Sequence, residues 1–220
     1  MDWEALALSL RLAGWTALVL LPIGIVAARQ LAWRRFAGRA WVEAMIALPL
    51  VLPPTVLGYY LLTAFGGTSP LGATYQQLFG RTLAFSFEGL LLASLLFNLP
   101  FALQPMQRAF ESIPEDVREA AWCSGLSHWR TFWRIELPLA WPGVVSAMVL
   151  TAAHTVGEFG VVLMMGGNIP GETRTISIAI YDRVQAFDER AAALMSALLL
   201  AFSLIAIAVV YVLTDRRRRA

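Results

Sequence analysis

Four polar residues recur at helical spacing within an apolar stretch in the second half of the chain. Thr151, His154, Thr155 and Glu158 lie at positions i, i+3, i+4 and i+7, so they share one face of a helix. A histidine and a carboxylate on one face could act as an acid–base pair, bind a metal ion together or hydrogen-bond along a polar pathway. The metal hypothesis is the weakest of these, because no third ligand is near the pair in the sequence.

The overall composition indicates that this stretch belongs to a membrane protein. The 220 residues are 58% hydrophobic and 15% charged, with a mean hydropathy of +0.64, whereas soluble domains are about 45–50% apolar and about 25% charged. The net charge of +2 therefore does not indicate a nucleic-acid partner. One cysteine excludes an internal disulfide, and two histidines give no basis for a metal cluster. No cofactor is predicted.

Five apolar segments approach or exceed the length of about 20 residues that a membrane-crossing helix needs. In chain order, the second and third contain prolines (Pro49, Pro53, Pro54 and Pro100), and the fourth contains Gly157 and Gly160, which can interrupt a helix. Proline breaks in lipid must face other helices or a water-filled cavity. We predict an all-α polytopic protein, a single domain over residues 1–220. It has five spans, and a sixth short span or a re-entrant turn near Gly157–Gly167 stays open. The five segments are residues 12–28, 41–65, 87–107, 139–165 and 191–213.

The arginines predict the orientation of the chain. Most of them lie in three groups, within residues 29–39, 108–134 and 216–219, and the positive-inside rule assigns these groups to the cytoplasm. The N-terminus is then outside and the C-terminus cytoplasmic. The first helix is expected to be retained, because Asp2 and Glu4 precede it where a signal peptide carries positive charge.

A charged and aromatic insert, EAAWCSGLSHWRTFWRIELP, occupies residues 119–138 between two apolar runs. Ser112 and Glu115 form a capping-box pattern that predicts a helix starting near Ile113. Gly125 is expected to end that helix, and Ser127 to cap a second one that Pro138 stops. The aromatic side chains of this insert favour either a docking surface for another protein or an anchor at the lipid headgroups, and spacing alone leaves both open.

The insert resembles the EAA loop of ABC importer permeases. The pattern Glu-Ala-Ala, three residues, glycine, nine residues, Ile-x-Leu-Pro is present at the spacing of that family. The resemblance implies that residues 111–138 are a cytoplasmic coupling loop that contacts a separate ATP-binding subunit. The residues it implicates are Glu119, Ala120, Ala121, Gly125, Ile135, Leu137 and Pro138.

Three further stretches are similar to molybdate-type permeases: LPLVLPPTVLGYYLL (48–62), GEFG (157–160) and NIPGETRTISIAIY (168–181). This resemblance implies a type I importer permease of the bacterial inner membrane that translocates molybdate or tungstate and is not an enzyme. The implied partners are a second copy of the chain, two ATP-binding subunits and a periplasmic or lipid-anchored oxyanion-binding protein. The chain carries no G-x-x-x-x-G-K-[ST] phosphate loop of its own. Sulfate-type permeases share related motifs and are the alternative.

An anion path suggests a role for the polar face described first. A doubly charged oxyanion cannot enter bare hydrocarbon, so we expect the face to border the pathway or the contact with a second copy, with Gly143 and Ala147 allowing close helix contact. Glu158 would repel the anion, so its expected role is to hydrogen-bond at the break between Gly157 and Gly160 and hold a gate. Three alternatives remain open: a buried Glu158 satisfied by backbone or His154, an intramembrane enzyme using that pair, and a sensor or scaffold that does not transport.

The segment after the break is expected to form an outer loop. Its candidate residues are Asn168, Pro170, Gly171 and Arg174, with the arginine contacting either the anion or lipid headgroups. An amphipathic helix through Ile176, Ile180, Val184 and Phe187 should follow. The C-terminal run Arg216–Arg219 is expected to anchor the topology near anionic lipid.

Overall fold

A computed structural model describes residues 1–218 of the chain, with side chains described through residue 212. All its regular elements are helices. The predicted arginine anchor therefore lies beyond the described side chains, and Arg219 lies outside the described residues. The helices are α1 (Trp3–Trp33), α2 (Arg39–Val51), α3 (Pro54–Phe65), α4 (Pro70–Phe79), α5 (Phe87–Glu111), α6 (Glu115–Cys123), α7 (His128–Thr131), a π-helix (Phe132–Glu136), α8 (Leu137–Gly157), α9 (Gly160–Gly166), α10 (Ile176–Gln185) and α11 (Glu189–Arg218).

Four helices within the described residues are long and apolar enough to cross a membrane, and a bent pair raises the number to as many as five. This confirms the all-α, multi-span prediction. Helices also extend into the stretches between the predicted spans. Helix α1 continues to Trp33, beyond the end of the first predicted span at residue 28, and α4 lies between the second and third predicted spans. Ser69 caps α4 by accepting a hydrogen bond from the amide of Gly72 at 2.9 Å, and Pro70 begins it.

The second predicted span, residues 41–65, is two helices rather than one. Helices α2 and α3 meet at Leu52 and Pro53 with a bend of 112°. Pro53 and Pro54 have no backbone N–H to continue the helical ladder, but Pro54 is well suited to the first position of a new helix. The consecutive prolines therefore end α2 and start α3.

The fourth predicted span, residues 139–165, is interrupted where predicted but starts at a different place. Helix α8 stops at Gly157, and the seven-residue α9 starts only at Gly160. At its other end, α8 continues the helical path of α7 and the π-helix, so that residues His128–Gly157 form one element of 30 residues. Pro138 does not stop the second helix of the insert: it lies in the first turn of α8, directly after the π-helix, and the helical path continues through it.

Helix α5 is the centre of the bundle and packs against α1, α2, α8 and α9. Lipid tails are as apolar as leucine, so helices in a membrane associate through close packing and polar contacts rather than through the hydrophobic effect. Gly143 of α8 lies directly on Ala109 of α5, where any larger side chain would collide. Ala147 of α8 is fully buried. The small residues expected to permit helix contact thus serve packing within one chain.

Candidate functional site

The predicted coupling loop begins its first helix later than the capping pattern suggests. Ser112 is the last residue of the α5 region: its amide donates to Arg108 and its hydroxyl donates to the carbonyl of Ala109 at 2.8 Å. The predicted capping box is therefore not formed. Pro114 takes the cap position instead, and α6 begins at Glu115, because Ser112 is already committed to closing α5.

The turn between α6 and α7 follows the prediction. Gly125 has a φ of +81°, a left-handed conformation that glycine adopts without strain, and its amide donates to the carbonyl of Trp122 at 2.9 Å. The Ser127 hydroxyl then accepts a hydrogen bond from the amide of Arg130 at 3.4 Å and caps α7. The α6–α7 turn thus folds from local signals that the sequence displays.

The loop presents a mixed surface. Glu119 and Ala120 are exposed, whereas Ala121 is 5% exposed and packs into the chain. Trp129 and Trp133 are 69% and 51% exposed. We define the docking surface by these four exposed residues: Glu119, Ala120, Trp129 and Trp133. Of the remaining predicted coupling residues, Gly125 and Pro138 are exposed and Ile135 and Leu137 are half-buried.

A buried ion cluster behind the docking surface was not predicted from the sequence. The carboxylate of Glu136 is fully buried and accepts hydrogen bonds from Arg29 and Arg118. Glu136 is the last residue of the π-helix. This type of helix is rare in proteins, and where it occurs it is often at a functional site. The sequence hinted at this cluster only by placing a carboxylate, Glu136, next to an apolar span, at the variable position of the Ile-x-Leu-Pro motif.

The polar face of α8 lies inside the described chain. Thr151 and Thr155 are 0% and 1% exposed, and the Thr155 hydroxyl donates to the Thr151 carbonyl at 2.8 Å. The Thr151 hydroxyl is buried and has no hydrogen-bond partner among the described residues. In this conformation both threonines are enclosed by the protein's own helices, and their place on a pathway remains a prediction.

A chain of polar side chains crosses the bundle beside this face. His154 Nδ1 lies 3.1 Å from Asn98 Oδ1, so this hydrogen bond needs the proton on Nδ1. Asn98 donates to Ser94, whose hydroxyl lies 2.8 Å from that of Thr16. The His154 ring also stacks on Phe101 at 3.9 Å. The sequence signal for this network was the pair Ser94 and Asn98, four residues apart in an apolar helix.

Glu158 lies at the break between α8 and α9. Its Oε1 accepts a hydrogen bond from the amide of Val161 at 3.1 Å and so caps the start of α9. Glu158 is therefore satisfied by backbone, one of the predicted alternatives, while His154 bonds to Asn98 instead. Among the described residues, no group of three or more His, Cys, Asp and Glu side chains is arranged to hold a metal ion.

The two helix breaks lie against each other. A side chain on Gly160 would place its Cβ 2.8 Å from the Cβ of Pro54, the first residue of α3. In the same way, a Cβ on Gly58 would lie 2.6 Å from the Cβ of Met164. The predicted glycine break is thus brought together with the predicted proline break. Gly157 differs, since nothing lies within 4 Å of the place its Cβ would occupy.

The predicted outer loop is held by a polar cluster around Arg174. Its Nε donates to Asn168 Oδ1 at 2.7 Å, and its guanidinium lies 3.7 Å from Asp182 and 3.9 Å from Asp2. Arg174 is therefore engaged by two carboxylates of its own chain. Pro170 and Gly171 are exposed in the turn of this loop, and Gly171 has a φ of +77°.

The helix after the loop forms, but only part of its predicted apolar face is buried. In α10 the buried residues are Ile176, Ile178 and Ala179, whereas Val184 is 57% exposed. Phe187 lies beyond the end of the helix at a φ of +57° and is 90% exposed. The apolar periodicity predicted a helix that reaches Phe187, but α10 ends at Gln185. Phe187 is therefore not part of the apolar face of α10.

The whole chain can now be compared with known proteins. It matches the family described as "Binding-protein-dependent transport system inner membrane component" over residues 21–220. It is also 44% identical over 219 residues to the molybdenum transport system permease protein ModB of Azotobacter vinelandii, which covers 100% of this chain and 96% of that protein. The chain belongs to this family of inner membrane transport components. The permease is thus a multi-pass membrane protein.

Other relatives carry two kinds of name. The permease is 39% identical over 184 residues to the molybdenum transport system permease protein ModB of Escherichia coli strain K12, which covers 84% of this chain and 80% of that one. It is 31% identical over 201 residues to a probable sulfate transport system permease protein of Chlorella vulgaris. That alignment covers 91% of this chain and 75% of the Chlorella protein. The similarity to the sulfate-type relative is therefore the weaker of the two.

The fold of the permease also matches a solved structure. A chain of a bacterial ABC transporter that imports the acidic polysaccharide alginate superimposes with a TM-score of 0.70. The match covers 98% of the permease and 78% of that chain at 20% sequence identity. At this low identity the similarity shows only that the two chains share a fold. That fold is the one found in ABC importer permeases, as the sequence predicts.

Proposed function

We propose that this chain is the membrane-spanning subunit of an ABC importer that carries molybdate or tungstate into the bacterial cytoplasm. The observation that carries the proposal is the 44% identity to a molybdenum transport permease along the entire chain. Sulfate import is the second candidate, and the weaker 31% identity to a sulfate-type relative counts against it. ATP hydrolysis belongs to a separate subunit, and alternating access moves the anion.

The docking surface is the contact for the ATP-binding subunit, one on each of two permease copies. Large exposed aromatic side chains such as Trp129 and Trp133 contribute much of the binding energy in protein interfaces. Ala120 is small and exposed on α6, so a partner helix or groove can approach the backbone closely. The whole of residues 111–138 acts as the coupling loop in this proposal.

The anion path runs beside the two helix breaks. Pro53, Pro54 and Thr55 are exposed on the single chain, and an interrupted backbone in the membrane is tolerated only where it is covered by protein or lines water. Helix α2 has no buried residue, which leaves room for a second copy of the chain. We therefore propose a homodimer whose α2–α3 elements line a shared pathway.

Glu158 holds the gate at this path through the start of α9. Its carboxylate accepts a backbone hydrogen bond and is only 6% exposed, so it is not open to an incoming anion in this conformation. The face with Thr151, His154 and Thr155 on α8 becomes accessible when α8 moves relative to α5. The N-terminus is outside and the C-terminus cytoplasmic, so the loop with Asn168 and Arg174 faces the periplasm and meets the oxyanion-binding protein.

The intramembrane enzyme is less well supported. His154 Nδ1 is bonded to Asn98 and Glu158 caps α9, so each has a separate partner and the two do not form an acid–base pair here. A sensor or scaffold would keep the docking surface but would tolerate apolar replacements at Thr151, Thr155 and Glu158. A transporter would lose uptake in that triple variant.

ATP hydrolysis in reconstituted vesicles tests the proposal. The permease is co-expressed with its native ATP-binding and oxyanion-binding partners, and molybdate, tungstate and sulfate are added in turn. We expect stimulation by molybdate and tungstate but not by sulfate. Stimulation by sulfate alone would overturn the substrate assignment and leave the ABC permease assignment intact. Failure of any ATPase to co-purify would overturn both.

A further inference from the structure

One buried carboxylate joins three helical elements at the cytoplasmic end of the bundle. Glu136 is 0% exposed. Its Oε2 accepts from Arg29 Nε at 2.6 Å and its Oε1 from Arg29 Nη2 at 3.2 Å, while Arg118 Nε donates to Oε1 at 3.3 Å. Arg29 belongs to α1, Arg118 to α6, and Glu136 to the π-helix that continues into α8. We call these three residues the ion triad.

Aromatic rings enclose the ion triad. The Arg118 guanidinium lies 3.8 Å from the ring centroid of Trp33 and 5.0 Å from that of Trp122. Arg29 lies 5.3 Å from Trp33 and 5.4 Å from Phe132. The Arg118 and Arg29 side chains are only 13% and 26% exposed. Because water is largely excluded, the ionic hydrogen bonds are stronger here than on an open surface, and removing one partner is costly.

The chain itself joins α6 to its neighbours at both ends. Residues 112–114 lead into it from α5, and residues 124–127, with Gly125 in a left-handed conformation, lead from it to α7. The Arg118–Glu136 pair is a further link, which ties the middle of α6 directly to the residue that precedes α8.

We propose that Glu136 and Arg118 are positioning residues that transmit movement of the docking helix to the transmembrane helices. This inference rests on the proposed docking of an ATPase to α6. Displacement of α6 pulls on Glu136 through Arg118, and the continuous element His128–Gly157 carries the movement along α8 to Glu158. Arg29 binds the same carboxylate in a two-pronged contact, so α1 moves with α8.

Replacement of Arg118 separates this role from folding. Arg118→Gln removes the link to α6 but leaves Glu136 paired with Arg29, so no buried charge is stranded. We expect the variant to retain the ATP-binding subunit on purification, while the number of ATP molecules hydrolysed per oxyanion taken up rises several-fold. Arg118→Lys keeps a cation beside Glu136 and should return the ratio towards that of the unmodified protein.

Arg81→Gln is the matched control. Arg81 also pairs with a carboxylate, Glu88, at 2.6 Å, but both side chains are exposed, by 58% and 42%. Exposed ion pairs contribute little, so this variant should keep the ratio unchanged. A second variant replaces the whole ion triad by apolar residues (Arg29→Met, Arg118→Met, Glu136→Leu). It leaves no unpaired charge and is expected to fold and to be uncoupled as well.

Two results would overturn the inference while the proposed function stands. One is that Arg118→Gln hydrolyses as many ATP molecules per oxyanion taken up as the unmodified protein does. If Arg118→Gln does not accumulate, the same result in the triple apolar variant counts instead. The other is loss of the ATP-binding subunit from Arg118→Gln, which would make Arg118 part of the docking contact instead. If the unmodified permease retains no ATPase and takes up no oxyanion, the proposed function itself fails.

Discussion

Gly160 and Pro54 bring the two interrupted helices of the permease into contact. Gly160 begins α9 and Pro54 begins α3, and a Cβ on the glycine would lie 2.8 Å from the proline Cβ. Each helix therefore covers the other near its break. The contact covers one side of the breaks, while Pro53, Pro54 and Thr55 stay exposed on the other, where the proposed path and the second copy would lie.

The contact predicts a steric effect of Gly160→Ala. The added methyl group must displace α3 or α9, so we expect a loss of about 1–3 kcal/mol of stability, the usual cost of overpacking, together with reduced oxyanion uptake. Thermal unfolding of the purified permease measures the first effect. Gly157→Ala is the control for stability, since its methyl group enters open space. Equal unfolding temperatures for the two variants would contradict the contact.

The cap at Glu158 predicts different outcomes for two replacements. Glu158→Gln keeps an oxygen that can accept from the Val161 amide, so α9 should remain folded and uptake should persist. Glu158→Leu removes the acceptor and should cost about 0.5–2 kcal/mol, the range for a lost helix cap. Unfolding and uptake are measured for both. Complete loss of uptake in Glu158→Gln, at normal stability, would indicate that the charge itself is needed.

The bond between His154 and Asn98 predicts a coupled effect on stability. Asn98→Leu leaves the ring nitrogen of His154 without its partner and should cost about 1–3 kcal/mol. His154→Phe should be destabilising for the same reason, because it leaves the side-chain oxygen of Asn98 without its partner. In the double variant neither group is stranded, so its loss should be smaller than the sum of the two. Strict additivity would show that this hydrogen bond does not contribute.

The docking surface predicts that Trp129→Ala weakens binding of the ATP-binding subunit. Truncating an interface aromatic of this kind costs roughly 2 kcal/mol or more, which is a drop in affinity of more than about tenfold. Binding to the detergent-solubilised permease is measured by titration. Phe187→Ala is the control, because Phe187 is also highly exposed but lies outside the docking surface. Unchanged ATPase binding in Trp129→Ala would favour a lipid anchor instead.

Local signals predicted the coupling loop better than they predicted the span boundaries. Gly125 and Ser127 act within a few residues of themselves, and both adopt the predicted roles. Pro138 was misinterpreted because proline is compatible with both a helix stop and a helix start, and only the continuous path of the preceding π-helix decides between them. Ser112 was likewise suited to two roles, closing α5 or opening α6.

Contacts between distant residues could not be predicted in this way. Arg29 and Glu136 are 107 positions apart. The positive-inside rule assigns Arg29 to a cytoplasmic group of arginines, but it does not predict which residue the arginine contacts. The same holds for His154 and Asn98, which are 56 positions apart. The sequence predicted that His154 and Glu158 share a helix face, but the break at Gly157 directs the carboxylate to α9.

Cys123 permits the most direct test of the claim that α6 is a cytoplasmic docking element. It is the single cysteine of the chain, it is exposed, and it ends α6. A membrane-impermeant maleimide is applied to sealed vesicles of known orientation, with and without the ATP-binding subunit. We predict labelling only when the cytoplasmic face is accessible, and labelling that slows several-fold once the subunit is bound. Labelling from the periplasmic side, or an unchanged rate with the subunit bound, would contradict the account.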